Sequence, residues 1–177
     1  ESELSWDFSL NPICKGTCRR LAEAWDSYTE LMRYRIAQTK TLEEKNNEVF
    51  IEIYGIHNEL FPEVPEDQIS LNRPDREKES QRLISYIIGC MMGRYSMDEP
   101  GVIYAAASNI GFYPSRYQIF PADYDGIIPL TDELWFENDA ANRIREFLLV
   151  VWGAETLAEN IAWLAESLDK KGGEVPE

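Results

Sequence analysis

The chain has 177 residues, 12% of them aromatic, and a formal net charge of −15. This length is enough to bury a real apolar core in one domain, and the aromatic content argues against a disordered chain. The acidic balance argues against autonomous binding to nucleic acid, because nonspecific affinity for a phosphate backbone comes from cationic side chains.

The cysteine and histidine content excludes a conventional zinc site. There are three cysteines, Cys14, Cys18 and Cys90, and one histidine, His57. A zinc site takes about four ligands, so no metal site is predicted. An odd number of cysteines at these spacings indicates reduced thiols and a cytoplasmic location.

The first third of the chain is predicted to be helical. Apolar residues between positions 11 and 55 recur every three or four residues, the period of a helix with one apolar face. The pattern fits either one long rod or two helices with a break. Thr41 followed by Glu44 matches a capping box, so the second helix of a broken pair would begin there. Gly55 is the expected end.

An irregular connection follows, and a second helix lies at the centre of the chain. Prolines at positions 62, 65 and 74 break regular structure, which places a possible sub-boundary near residues 57–73 within one domain spanning residues 1–177. Residues 74–97 are then predicted to form a helix that is apolar almost all round and therefore buried on most sides. Gly89 and Gly93 lie four residues apart on it, and their cost in a helix indicates another backbone passing close by.

The chain after residue 101 is predicted to form an irregular stretch followed by a pair of helices. Residues 102–107 fit a short strand or a helical turn equally well, and residues 118–120 and 126–129 are candidates for two paired strands. Asn138 or Asp139 can cap a third helix, and Thr156 begins a fourth. The predicted fold is mainly α, with a long N-terminal helical arm, a buried central helix, a C-terminal helix pair and room for two or three short strands.

Six stretches of the chain resemble one family of enzymes in the same order. They are SWDF at 5–8, FIEIYG at 50–55, EVP at 63–65, ISYIIGCMMGRYSMD at 84–98, DGIIPL at 125–130 and DELWF at 132–136. Together they resemble the PglX family, the large adenine-specific DNA methyltransferases of bacteriophage-exclusion (BREX) defence, and related type II restriction–methylation polypeptides. The chain begins at Glu1 without an initiator methionine, and we expect an internal piece of such a protein.

The resemblance implies chemistry that this sequence does not carry. An adenine methyltransferase needs a glycine-rich turn for S-adenosylmethionine and an Asn-Pro-Pro-Tyr-like loop that holds the everted base. The sequence has neither: residues 11–14 read Asn-Pro-Ile-Cys, and no two glycines are separated by one residue. No catalytic or cofactor-binding residue is therefore predicted, and S-adenosylmethionine is implied only for the parent protein.

Six side chains are candidates for contact with DNA or with a protein partner. Four cations lead into the central helix and two residues lie at its predicted end: Arg73, Arg76, Lys78, Arg82, Arg94 and Tyr95. Acidic residues alternate with the first four, so a solvated helix face is the competing interpretation. Arg94 also has a simpler explanation, since a cation is favourable near a helix C-terminus.

Three functions remain open from the sequence. The first is a non-catalytic connector that supports DNA recognition, whose partners are the rest of the parent methyltransferase and, through it, double-stranded DNA. The second is a protein-interaction module of a defence complex, and the third is an acidic DNA mimic that inhibits DNA-binding proteins. No apolar run approaches the length of a membrane-spanning helix, so no membrane contact is predicted.

Overall fold

The computed structural model describes residues 3, 5, 7–106, 110–131 and 135–168. These residues form four α-helices: α1 (Leu21–Tyr54), α2 (Arg76–Met91), α3 (Ala140–Trp152) and α4 (Leu157–Leu168). No β-strand occurs among them, so residues 118–120 and 126–129 are irregular. The mainly helical prediction, with its long arm, central helix and C-terminal pair, is confirmed. Trp6, residue 107 and residues 132–134, which the sequence patterns include, lie outside the described residues.

The chain divides into two compact units. One consists of residues 26–75, and the other combines residues 1–25 with residues 76–177.

The unit of residues 26–75 contains most of α1, which is one continuous helix of 34 residues. At 1.5 Å per residue, its length is about 51 Å. The hydroxyl of Thr41 donates to the backbone oxygen of Ala37 at 3.1 Å, a bond within the helix. Thr41 therefore does not cap a second helix, and of the two sequence alternatives the single rod is correct. A short 3-10 turn at Pro12–Lys15 and irregular backbone precede it.

The chain returns along α1 through residues 56–75, which are held by side chains of the helix. The amide of Asn47 donates to the Pro62 carbonyl at 3.1 Å, and a Glu44 carboxylate oxygen accepts from the backbone N–H of Val64 at 3.2 Å. Glu43 likewise accepts from the Ser70 N–H at 3.1 Å. These bonds satisfy backbone groups that have no regular secondary structure to pair with.

The other unit is centred on α2, α3 and α4, which pack against one another. Its core contains the fully buried side chains of Leu83, Tyr86, Phe147 and Leu148. The rings of Tyr86 and Phe147 meet edge to face, with centroids 6.2 Å apart. Such aromatic contacts add to the free energy that burial of their area provides.

The end of α2 differs from the sequence prediction. The helix stops at Met91 because Gly93 adopts a positive φ of 74°. The N–H of Arg94 donates to the Gly89 carbonyl at 2.8 Å, and the N–H of Gly93 donates to the Cys90 carbonyl at 3.1 Å. This pattern is a Schellman motif, which ends a helix whatever the apolar pattern beyond it. The prediction that Arg94 and Tyr95 close the helix is therefore wrong, since both lie beyond its end.

In the part of the chain that the structure describes, no helix combines the length and the apolar character that crossing a bilayer requires. The described residues also contain no group of three or more metal-ligating side chains placed to hold an ion.

Candidate functional site

A groove of about 580 Å³ lies beside the C-terminal half of α2. Its floor is formed by Ser85, Ile88 and Gly89 on one face of that helix and by Met92 directly after the helix end. These positions follow the three-and-four spacing that places side chains on one side of a helix. Ile88 is 37% exposed and Met92 is 52% exposed, although the sequence predicted that this helix would be buried on most sides. The apolar surface at the end of α2 that is not buried in the core thus forms the floor of the groove.

Tyr95 fills the space that Gly89 leaves on this face. A Cβ atom added at Gly89 would lie 2.5 Å from the Tyr95 ring, closer than real Cβ contacts. The Tyr95 ring is 1% exposed and stacks on Tyr86 with centroids 5.3 Å apart. The reason for Gly89 is therefore an aromatic ring. The prediction of a second backbone at this point is wrong.

Arg94 stands at the edge of the groove with an exposed side chain. Its Nε donates to the Tyr95 hydroxyl oxygen at 3.2 Å, and its guanidinium carbon lies 5.7 Å from the centroid of that ring. No carboxylate lies within 4.0 Å of it among the residues with described coordinates. The terminal nitrogens of Arg94 are therefore available to a ligand.

The second wall of the groove is aromatic. Its backbone is fixed beside the end of α2, because the Ile103 N–H donates to the Arg94 carbonyl at 2.8 Å. Tyr104 meets Phe112 edge to face at 5.6 Å, and Phe112 stacks on Tyr117 at 5.2 Å. The hydroxyl of Tyr104 is buried and has no hydrogen-bond partner among the described atoms. A buried hydroxyl left unpaired is unfavourable in free energy.

The third wall is the acidic turn at residues 123–126. The Asp123 N–H donates to the Met91 carbonyl at 2.7 Å, which anchors the turn on the end of α2. The backbone N–H of Ile127 donates to Asp125 at 2.9 Å and holds the pKa of that carboxyl below its usual range. Tyr124 is 82% exposed and also lines the groove. The turn thus presents the exposed Tyr124 ring between the side chains of Asp123 and Asp125.

Glu3 completes the lining near Ser85. One carboxylate oxygen of Glu3 accepts from the Ser85 hydroxyl at 3.1 Å. The other oxygen is buried and, within the described residues, has no partner. Like the Tyr104 hydroxyl, this oxygen is a buried polar atom whose hydrogen-bonding capacity is unused among the described residues.

The six sequence-predicted contact residues have different surroundings within the two units. Arg94 and Tyr95 line the groove, while Arg73 lies in the unit of residues 26–75 and forms an ion pair with Glu66. Arg82 is exposed and its guanidinium pairs with Glu79 at 2.5 Å. Lys78 is exposed on the first turn of α2 and has interactions within the protein.

Arg76 is held by α4. Its Nε donates to the Ser167 hydroxyl at 2.7 Å, and a terminal nitrogen donates to the Trp163 carbonyl at 3.2 Å. The guanidinium carbon also lies 4.3 Å from the centroid of the Trp163 ring, and Glu166 is 3.3 Å away. The donors of Arg76 are thus used to link two helices.

Sequence reasoning missed most of the groove. Glu3, Tyr104, Phe112 and Tyr124 were not predicted as site residues, although all four line it. The available signal was the long irregular stretch between positions 101 and 130, because such loops in compact domains are usually functional or mobile. The orphaned oxygens of Glu3 and Tyr104 could be found only from the fold.

Comparison with known proteins identifies the family of this chain. No protein-family model matches the chain. It is 36% identical over 187 residues to the adenine-specific methyltransferase BrxX of Escherichia coli O9:H4 (strain HS), a match that covers 94% of this chain and 15% of the relative. Over 177 residues it is 34% identical to the adenine-specific methyltransferase PglX of Lacticaseibacillus casei (strain Zhang), covering 96% of this chain and 14% of that protein.

The chain is PglX-like. The family resemblance inferred from its six motifs is confirmed, because both relatives match over nearly the whole chain. The PglX-like chain nevertheless spans only 14–15% of the length of these relatives.

Proposed function

We propose that this chain is a non-catalytic helical connector that supports DNA recognition within a PglX-like, site-specific adenine methyltransferase. The observation that carries the proposal is the homology itself, which covers nearly all of this chain and a small part of each relative. Most of a relative's length is therefore available for the base-holding loop and the S-adenosylmethionine site that this sequence lacks. The partners of the connector are the remainder of that methyltransferase and, through it, double-stranded DNA.

The charge distribution favours a chain that contacts DNA only together with the rest of the methyltransferase, and it disfavours DNA binding by the chain alone. The chain carries 32 acidic residues against 17 lysines and arginines. Several cations are already paired with carboxylates, including Arg73 and Arg82, which leaves fewer of them for phosphates. The three cysteines are thiols, which fits the reducing cytoplasm in which we place the protein.

A second candidate function, a protein-interaction module, is favoured by one surface. In the unit of residues 26–75, large apolar side chains near the end of α1 are exposed: Leu42, Val49, Phe50, Ile53 and Tyr54. Exposed apolar side chains in such number favour a protein contact. The two functions are compatible, since a connector must dock against the domains that it joins.

A segment exchange tests the connector proposal. Deletion of the matching segment from the BrxX relative is expected to abolish adenine methylation of its DNA, and insertion of this chain in its place is expected to restore it. The isolated chain, supplied with S-adenosylmethionine and duplex, is expected to transfer no methyl group and to bind the duplex weakly, with an affinity that falls further as salt rises. Methyl transfer by the isolated chain, or full methylation by the deleted relative, would contradict the proposal.

A further inference from the structure

The C-terminal part of α1 carries large apolar side chains that the rest of the described unit of residues 26–75 leaves exposed. Leu42, Val49 and Ile53 are separated by seven and four residues, a spacing that places them on one side of the helix. Phe50 and Tyr54 each follow one of these residues, and their rings stack with centroids 6.4 Å apart. Burial of this surface would be favourable, because it removes apolar area from water.

The segment that follows α1 adds to the exposed apolar surface. The amide of Asn47 donates to the Pro62 carbonyl at 3.1 Å, which holds the returning chain beside the same end of the helix. Leu60 and Phe61 lie directly before this anchor, and both side chains are exposed. Helix and returning chain thus expose seven large apolar side chains in this part of the unit.

The charges around these side chains have one sign. No lysine or arginine occurs between Lys45 and Arg73, whereas four exposed glutamates flank the apolar residues: Glu48, Glu52, Glu59 and Glu63. In the part of the chain that the structure describes, none of these four carboxylates has a cationic partner within 4.0 Å. The seven apolar side chains and the four glutamates together are called the acidic apolar surface.

The charge of the acidic apolar surface discriminates among possible occupants. A second copy of the chain, docked through the same surface, would bring glutamates against glutamates. DNA and an anionic membrane would both bring phosphates to it, which the same carboxylates repel. A protein segment with apolar side chains between lysines and arginines complements both the apolar area and the charge.

We propose that the acidic apolar surface docks a basic amphipathic helix from the remainder of the PglX-like methyltransferase. Apolar side chains of that helix cover Val49, Phe50 and Ile53, and its lysines and arginines pair with the four glutamates. The relatives have room for such a segment, since this chain matches only 14–15% of their length. The inference rests on the connector proposal and adds the chemistry of a partner that the connector docks against.

A peptide titration of the full 177-residue chain tests this chemistry. The probe is a helical peptide of leucine and lysine, about 14 residues long so that it spans Leu42 to Tyr54. Its control has the same leucines and a glutamate in place of every lysine. In nuclear magnetic resonance spectra, the basic peptide is expected to shift the amide resonances of Val49 and Ile53, and the acidic peptide is expected to leave them unchanged.

Charge variants separate docking at this surface from general attraction to an acidic protein. Glu52→Lys should weaken binding of the basic peptide roughly 2–5-fold, and Lys45→Glu should strengthen it by a similar factor. Arg145→Glu makes the same change of charge at an exposed position of α3, in the other unit, and should leave the affinity unchanged. Phe50→Ser should weaken binding without a change of charge. All four positions are exposed, so these variants should fold.

Zero-length cross-linking identifies the source of the helix. In the BrxX relative that carries this chain in place of its own segment, a carbodiimide is expected to join the four glutamates to lysines elsewhere in the same polypeptide. Mixing isotopically labelled and unlabelled protein distinguishes links within one polypeptide from links between two copies. Links between copies would identify a second copy as the occupant and would overturn the proposal.

The remaining outcomes are also decisive. The proposal is overturned if the acidic peptide binds as tightly as the basic one, or if Arg145→Glu changes the affinity as much as Lys45→Glu. Restored methylation without cross-links from the four glutamates would overturn this docking and leave the connector proposal standing. Cross-links within one polypeptide without restored methylation would support the docking and count against the connector.

Discussion

At the scale of single residues, the absence of a side chain at Gly89 allows the Tyr95 ring to pack against α2 beside the groove. The N–H of Tyr95 reaches the Gly89 carbonyl at 3.3 Å, so the chain folds back and lays the Tyr95 ring on the helix face. Any Cβ at this position would occupy the space of the ring. The glycine therefore lowers helix propensity in exchange for a close aromatic contact.

Gly89→Ala is expected to destabilise the protein. Alanine would gain about 0.5–1 kcal/mol in helix propensity, but overpacking a core typically costs about 1–3 kcal/mol. Because Tyr95 is buried and cannot move away freely, we expect a net loss of about 1–2 kcal/mol in the free energy of unfolding, measured by urea denaturation.

A double-mutant cycle with Tyr95→Ala supplies the control. The alanine at position 89 should cost less when the ring is absent, so the two changes should be coupled. Gly55→Ala offers a second comparison, because Gly55 has a positive φ of 65° and open space around it. Its loss of stability should persist in the Tyr95→Ala background. A Gly89→Ala variant as stable as the unsubstituted chain would refute the close contact between position 89 and the Tyr95 ring.

At the scale of whole elements, α3 depends on a buried carboxylate at its N-terminus. One oxygen of Asp139 accepts from the Ala141 N–H at 2.9 Å, and the other accepts from the Thr131 N–H at 3.1 Å and hydroxyl at 2.8 Å. The hydrogen bonds from Ala141 and then Thr131 lower the pKa of Asp139. Of the two caps that the sequence allowed, Asp139 is the one whose side chain bonds the helix backbone.

This cap predicts a pH dependence of stability. Because the pKa of Asp139 is lower in the folded state, its contribution is complete above the ordinary aspartate pKa of about 4 and is lost as pH falls through the lowered value. Asp139→Asn should therefore lower the thermal midpoint at pH 7 and reduce its fall in acid. The measurement is a series of thermal melts between neutral and acidic pH, with the exposed Glu155→Gln as control. If the thermal midpoints of Asp139→Asn and of the unsubstituted chain fall in parallel with pH, the assignment of Asp139 as the cap would be contradicted.

The link between α2 and α4 leads to a separate prediction. Arg76→Met keeps an apolar stem but loses the hydrogen bonds to Ser167 and Trp163 and the cation–π contact. We expect a loss of about 1–3 kcal/mol in the free energy of unfolding, from ordinary values for these interactions. Arg145→Met, at an exposed position on α3, should change it by less than about 0.5 kcal/mol. Equal stability of the two variants in chemical denaturation would show that the link contributes nothing.

At the scale of the whole molecule, the helices could be predicted because their signals are local. Apolar spacing located α1 to α4, and the cap at Asp139 is adjacent in sequence to the helix that it begins. The end of α2 was misplaced because the apolar pattern continues past Gly93, while the Schellman hydrogen bonds end the helix there. The prediction followed the longer apolar pattern, whereas the folded chain follows the short turn signal at Gly93.

The groove could not be predicted because its walls come from separate parts of the chain. Residues 103 and 123 reach the end of α2 through single backbone hydrogen bonds to Arg94 and Met91. No periodicity in the sequence encodes such contacts. The same limit applies to Arg76, whose charge suggested an external contact and whose partners on α4 are distant in sequence.

The glycine that ends α2 also governs how this region tolerates insertions and deletions. Each residue of a helix turns the chain by about 100°, so one residue added before Gly93 would swing the following segment around the helix axis. Arg94 would be carried away from Glu3 and Tyr104, and the anchors at residues 103 and 123 would lose register. The interval from Ser85 to Tyr95 therefore has to keep a fixed residue count for the groove to exist.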